Sequence, residues 1–436
     1  MTLHEHVSGE VQMYDFDRFT WAKIADLSDG NVLTAGTRRQ CCEDGAFGIG
    51  GCFAGTLHIT CKLPGLTRYQ IKGARILLRR WFDGEALTGE NAPAEGIFWV
   101  TDAQKCGDIF TLSGQDAMGW TDTSSLALPG GGGADWSFGD IVAGRAAGNA
   151  ATLEYWLNTW TIPPLNDLIA AQTGIPAMLT WSNYNTAVNG HYCNQMLWGE
   201  TYGDGESDAP AYFFIHTDDG VYKTDTPRDV LRWVGELTGG FLTVRKTGEL
   251  TMRQFGMAEL GTAVVPFAST GEGSFEVADY TIYLYNAGAI YADSSFYAIG
   301  GNPSHRDVNI RYTLQSNPFL SGFMAKDTHA YTPAYGLWHT RDIGAGAPVI
   351  RPFRVMVHGT GRYELGQRIR FPDFHDIGEA ETHDVSSIIT GIEWTYRGGT
   401  LLSCGGDDAR VMADCIRATK ADRVLRELRS RFRSQS

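Results

Sequence analysis

"TLHITCKL", residues 56–63, alternates apolar and polar side chains without a break. Leu57, Ile59, Cys61 and Leu63 fall on one side, and Thr56, His58, Thr60 and Lys62 on the other. A period of two places one row in a core and the other toward water, so the spacing predicts a strand in a half-buried sheet. "ARILLRRWF" (74–82) repeats the pattern, with Arg75 and Arg79 in register. "GIFWVTDAQKCGDIFTLSGQDAMGW" (96–120) predicts two strands around a turn at Lys105-Cys106-Gly107, then a helical turn. Strands spaced this evenly suit a small barrel or sandwich.

The middle of the chain reads differently. Thr226-Pro227-Arg228-Asp229 offers a hydroxyl cap, a proline at the first helical position and an early carboxylate. Val230, Leu231, Val234 and Leu237 then recur at helical spacing, and Gly239-Gly240 permits a left-handed exit. "FLTVRKTGELTMRQF" (241–255) predicts a hairpin about Lys246-Thr247-Gly248. A second short helix is predicted over 161–176, with Leu165, Leu168 and Ile169 as its inner face. Four glycines in "LPGGGGADW" (128–136) lack the Gly-Lys-Ser/Thr of a phosphate loop and read as a flexible break. Beyond Gly261 the pattern is β again, in 279–301, 312–325, 351–373 and 386–406.

Composition bounds the rest. The chain has 436 residues, long enough for two to four domains, and its 53 glycines fit a β-rich protein with many tight turns. A net charge of −14 argues against affinity for phosphate backbones or anionic membranes. From Arg410 onward there are eight Lys/Arg against three Asp/Glu, so that tail carries +5 and the remainder −19. The eight cysteines form no C-x-x-C pair, which points to reduced thiols of a protein made in a cytoplasm. The charged N-terminus has no apolar run of a secretion signal, and no stretch approaches the roughly twenty apolar residues of a membrane span.

Candidate chemistry is sparse. "FPDFHDIGEAETHD" (371–384) gathers Asp373, His375, Asp376, Glu379, Glu381, His383 and Asp384, all possible metal ligands but at no defined spacing. In "FFIHTDDG" (213–220), His216 and Asp218 suggest a catalytic pair, while Asp218-Asp219-Gly220 equally suits a turn. G-x-S-x-G and H-E-x-x-H are absent from the sequence, so no catalytic residue, cofactor or metal is assigned.

The order of five segments resembles the tail hub proteins (tail-tip or baseplate-hub) of phages and prophages of Gram-positive bacteria. "TRRQCCEDGAFGIGGCFAGTLHITCKLPGLTRYQIKGARILLRRWF" looks like that family's opening block, and "GIFWVTDAQKCGDIFTLSGQDAMGWTD" like its next. "VLRWVGELTGGFLTVRKTGELTMR" is similar to its helix-plus-hairpin unit, while "LQSNPFL" and "RPFRVMVHGTGRYELGQRIRF" resemble its later segments. Gln367 stands where aspartate is usual.

The resemblance implies a mainly β fold with short helices (α+β). Residues 1–125 would form a first β-barrel hub domain, 126–260 a mixed α/β connecting domain, 261–406 a second, related barrel, and 407–436 a basic C-terminal helix. It further implies a homotrimer at the tail tip that closes the tail tube, in a virion tail made in the host bacterial cytoplasm. Its partners would be a distal tail or tube protein, a tape-measure protein, and a tip, spike or receptor-binding protein, with DNA passing through without specific binding. The alternatives are a tail-associated cell-wall hydrolase or protease and a host-surface saccharide-binding tail protein. Val411, Cys415, Ala418, Ala421, Leu425, Leu428 and Phe432 recur at spacings of three and four, and Arg423 and Arg426 fall off that stripe. They make the predicted tail helix a candidate interface.

Overall fold

The computed structural model describes residues 4–122 except 16, 19, 43–46 and 49; then 228, 231–232, and 240–266 except 249, 254 and 257–259; and finally 276–277, 281–283, 307–309 and 350–405 except 375–382. The chain opens with β1 (Glu5–Asp15), β2 (Thr20–Ser28) and β3 (Val32–Gln40), followed by β4 (Thr56–Lys62). A one-turn helix α1 (Arg68–Ile71) leads to β5 (Arg75–Phe82), β6 (Ala94–Cys106) and β7 (Ile109–Gln115). The next strands are β8 (Phe241–Val244), β9 (Leu250–Arg253), β10 (Thr262–Val264), β11 (Glu276–Val277), β12 (Thr281–Tyr283) and β13 (Asp307–Asn309). The last are β14 (Phe353–Val357), β15 (Arg368–Phe374), β16 (His383–Ile388), β17 (Gly391–Thr395) and β18 (Gly399–Cys404). Among the described residues the fold is thus mainly β with short helices, as the sequence led one to expect.

Eleven strands join in one sheet, in the order β11-β14-β18-β17-β3-β4-β7-β6-β5-β1-β2. Its central seam is the antiparallel pairing of β17 with β3, in which Trp394 faces Thr37 and Ile392 faces Arg39. This seam hydrogen-bonds chain that lies more than 350 residues apart. The predicted alternation holds: Leu57, Ile59, Cys61 and Leu63 are buried, as are Ile76, Leu78 and Phe82 of β5. The β6–β7 turn falls at Gly107-Asp108, where Gly107 has φ 62°; Lys105 and Cys106 are still strand, one step later than expected. The β8–β9 hairpin turns where predicted, and Gly248 takes φ 93° there. α1 is fixed by a capping box in which Thr67 and Gln70 satisfy each other's backbone N–H, and Ile71 anchors it in the core.

Two apolar cores lie behind these strands, and each borrows from the far end of the chain. The first gathers Val7, Val11, Leu57, Ile76 and Phe98 with Trp394 and Tyr396. The second gathers Val355, Ile369, Phe371 and Leu402 with Cys41, Cys42 and Phe47, and also Phe241 and Phe255. The β8–β9 hairpin docks through backbone: Gly50 N–H donates to Gly240 O and Leu242 N–H to Gly51 O. Of the predicted 227–237 helix, Arg228, Leu231 and Arg232 are described and helical, with Leu231 fully buried. Segments 128–136, 161–176, 312–325 and 407–436 lie outside the described residues, as does most of 279–301.

Candidate functional site

Among the described residues the densest ionic cluster is an interior one, built where β1, β3, β5 and β6 meet the β8–β9 turn. On β5, the period that buries Ile76, Leu78 and Phe82 also sends Arg80 inward, and it is 2% exposed. Glu95 owes its inward aim to a bulge. Arg79 pairs with Ala94 and Leu78 with Gly96, so Glu95 is the extra, unopposed residue of β6. It is 1% exposed and meets three cations: Arg80 Nε at 3.1 Å, Arg39 Nη2 at 3.3 Å and Lys246 Nζ at 3.3 Å. The Arg80 Nε contact is close enough for strong attraction but is not aligned as a hydrogen bond. Burial works against the Glu95 charge, yet Lys246, Arg80 and Arg39 overcome it and hold the carboxyl at about 2. Burial likewise pulls the Lys246 ammonium below its ordinary value, with Glu95 opposing.

Glu5, at the start of β1, closes the cluster on the other side. Its Oε1 accepts from the Trp394 indole N–H at 2.7 Å and lies 3.5 Å from Arg80 Nη1. Its Oε2 accepts from the Arg397 backbone N–H at 2.6 Å, at a residue held at φ 62°. A left-handed non-glycine is uncommon, and the Glu5 bond secures it. Arg80 also donates to Thr400 Oγ1 and Gly361 O, and its guanidinium lies 5.3 Å over the Trp394 ring. Arg362 returns the contact by donating to Arg80 O and to Glu85. The N-terminal strands and the β17–β18 hairpin are therefore tied by charge as well as by backbone.

A second cluster sits at the margin of this joint. His6 Nδ1 lies 2.5 Å from Asp29 Oδ2 and its Nε2 lies 2.8 Å from Asp83 Oδ1. Asp29 Oδ1 also accepts from Val7 N–H and from the Tyr396 hydroxyl, at 2.7 Å and 2.9 Å. The imidazole stacks on Trp81 with ring centroids 5.3 Å apart. Hydrogen bonds to Asp29 and then Asp83 raise the His6 value, and Asp29 is lowered by Val7, His6 and Tyr396 against its own burial. Elsewhere Asp116 is 5% exposed and accepts from Gly55 N–H at 2.8 Å and Met118 N–H at 3.0 Å. Burial pushes its carboxyl up to about 7 in spite of those bonds.

An open cleft of about 780 Å³ lies across β17, β3, β4 and β7, lined by Arg38, His58, Gln115, Arg228 and Glu393 among others. His58 on its wall has Nδ1 3.1 Å from the Oγ of Ser113, its register partner on β7. A nucleophile would need the imidazole oriented by a third group. No carboxylate among the described residues hydrogen-bonds His58.

The candidates singled out in the sequence fare unevenly. Val411, Cys415, Leu425, Leu428, Phe432, Arg423 and Arg426 lie outside the described residues, as do His216 and Asp218. Of the 371–384 cluster, His375, Asp376, Glu379 and Glu381 lie outside them too; Asp373 and His383 are strand positions, and Asp384 is engaged by Arg370. Gln367 has a local reason for not being aspartate: its Nε2 donates to Leu260 O at 2.8 Å while its Oε1 accepts from Glu364 N–H at 3.2 Å. A carboxylate could only accept. Of the six described cysteines, five are buried and Cys106 is exposed, all as free thiols. Sequence reading missed Glu5, His6, Arg39, Arg80 and Glu95, although Arg80 falls in the apolar phase of its own strand. No helix among the described residues is long and apolar enough to cross a membrane.

No protein-family model and no curated protein sequence matches the chain. Among solved structures it is similar to the 43 kDa tail protein of prophage MuSo2 from Shewanella oneidensis, with a TM-score of 0.45 and 13% identity over 93% of this chain and 98% of that one. It is also similar to a tail protein from Neisseria meningitidis MC58, with a TM-score of 0.43 and 12% identity over 93% of this chain and 97% of that one. A third is an Escherichia coli component of the type VI secretion system described as similar to T4 tail proteins, with a TM-score of 0.37 and 9% identity over 87% and 74%.

Proposed function

We propose that this protein is a structural part of a bacteriophage or phage-like tail, a hub at the tail tip or baseplate that closes the tube and connects it to the tip proteins. The observation that carries the reading is the seam: β17 pairs with β3, and the Glu5–Arg80–Glu95–Arg39–Lys246 joint lies behind it. The partners of these buried charges are one another and the Trp394, Arg397 N–H and Thr400 groups of the β17–β18 hairpin, an arrangement suited to fixing how the strands meet. A hub needs that rigidity between its halves. The five sequence blocks in family order support the same reading, as does a −19 body suited to letting DNA pass without sticking.

In this reading residues 1–125 and 261–406 are the two hub domains, 126–260 connects them, and the chain works as a homotrimer in the virion tail. Its partners are a tube protein, a tape-measure protein and a tip, spike or receptor-binding protein, and it is not an enzyme. Light scattering of the full chain, alone and with its tube-end protein, is expected to give a trimer. A stable dimer or hexamer would overturn the hub, and turnover of peptidoglycan or casein by the pure protein would replace it with a tail-associated hydrolase or protease.

A further inference from the structure

We propose that His6 is a proton-operated clamp: as an imidazolium it draws Asp29 and Asp83 together and, through Tyr396, keeps the β17–β18 turn seated on the N-terminal strands. The hydrogen bonds themselves define the state. A neutral imidazole has one donor and one acceptor, whereas ionised carboxylates only accept. With Asp29 at 2.5 Å from one ring nitrogen and Asp83 at 2.8 Å from the other, both nitrogens must carry protons.

Each partner comes from a different piece of chain. Asp29 lies in the β2–β3 turn, Asp83 follows β5, and Tyr396 lies in the β17–β18 turn. Among the described residues the charged groups acting on the ring are Asp29 and Asp83, with Tyr396 bonded to Asp29 and the Arg397 guanidinium 4.7 Å over the Tyr396 ring; Trp81 supplies an uncharged wall. Glu5, next to His6 on β1, points to the opposite face, where it holds Trp394 and Arg397 N–H. The two faces of β1 therefore grip the same turn, one through a buried carboxylate and one through a ring open to solvent protons, with a His6 side chain 29% exposed.

Loss of one proton turns one of the two ring contacts from attraction into lone-pair repulsion. Asp29 then no longer has its second anchor, and its bonds to Val7 N–H and the Tyr396 hydroxyl loosen with it. The raised His6 value sets the direction: the clamp is fully present below the ordinary value of 6.5 and is released as pH rises through the folded value.

Hydrogen exchange of the full chain tests this, read in peptides containing Val7 and Arg397 and corrected for the intrinsic rate at each pH. Between about pH 6 and about pH 9, protection in both peptides is expected to fall by about tenfold or more, the scale of one charge-assisted hydrogen bond. His6→Gln should show the low level at both values, and Asp83→Asn, changed at a solvent-exposed carboxyl, should move the midpoint down. A peptide spanning Ile369 serves as control, because Ile369 pairs with Ser387 in a different sheet. Protection at Val7 and Arg397 that is equal at both pH values, or a midpoint that Asp83→Asn leaves in place, overturns the clamp.

Discussion

The indole N–H of Trp394 donates to Glu5 Oε1 at 2.7 Å across 389 positions of sequence. Trp394 is fully buried and Glu5 nearly so, which makes the bond a tie between the first strand and the last hairpin within the core. Glu5→Ala would strand the Trp394 N–H and the Arg397 N–H and leave Arg80 one carboxylate short. The expected cost is about 3–5 kcal/mol, the scale of breaking a buried pair on one side. Trp394→Phe, which removes the donor and the pyrrole half of a fully buried indole, should cost about 2–4 kcal/mol. Urea unfolding at neutral pH checks both, and equal midpoints for wild type and Glu5→Ala would mean that the latch carries no stability.

Glu95 should be the more sensitive position. Removing its charge leaves Arg39, Arg80 and Lys246 close together, with Glu5 in contact with Arg80 alone and Glu364 acting on Arg39 and Lys246 only through space. Glu95→Gln is expected to cost about 3–5 kcal/mol at neutral pH. Because the folded value is held down at about 2, the stabilisation is present above the ordinary 4.5 and is lost only as pH falls through about 2. The gap between wild type and Glu95→Gln should therefore persist at about pH 4, where ordinary carboxylates are already titrating. A gap that closes by that pH contradicts the three-cation pocket.

Asp116 runs the opposite way. Its folded value is raised from 3.8 to about 7, so its contribution is fully present below 3.8 and is lost as pH rises through about 7. Asp116→Asn gives up one acceptor for the Gly55 and Met118 N–H groups, so it should be the less stable protein in acid. The deficit should shrink as pH climbs past about 7, because the wild type alone then carries a buried charge. Carboxyl carbon NMR of Asp116 provides the direct reading, and a midpoint at the free value refutes the prediction.

The strands legible in the sequence are those whose buried row is apolar throughout, as in β4, or broken by a single charge, as in β5. β4 shows Leu57, Ile59 and Cys61, and the β8–β9 hairpin announces its turn with Gly248. β1 and β3 were not read as strands because their buried rows contain other things. In β1 the row runs Glu5, Val7, Gly9 and Val11, and in β3 it includes Thr37 and Arg39. Gly9 is there for space, since a Cβ would come within 2.2 Å of Leu77 O. Such rows look mixed to any pattern rule, and β3 finds one of its two partners, β17, more than 350 residues on. One sign was available: Arg80 stands in phase with Ile76, Leu78 and Phe82, and a charge in the apolar phase of a strand needs a buried counter-charge. The identity of that counter-charge was not readable, because Glu95 points inward only through a bulge that alternation cannot foresee.

The last prediction concerns residues 410–436. Val411, Cys415, Leu425, Leu428 and Phe432 make one apolar stripe on a predicted helix, with Arg423 and Arg426 beside it. An isolated helix of that length is marginal in water, so the stripe needs a surface to cover it. The tail carries +5 against −19 for the rest, and arginine forks suit carboxylate partners, which favours docking on the acidic body of a neighbouring subunit. Truncation after Ala409 is expected to leave the urea midpoint of the β framework unchanged while abolishing assembly in light scattering. If the truncated chain still assembles and binds its tube-end protein, the tail is not the interface. If its midpoint falls with it, the stripe packs on its own subunit.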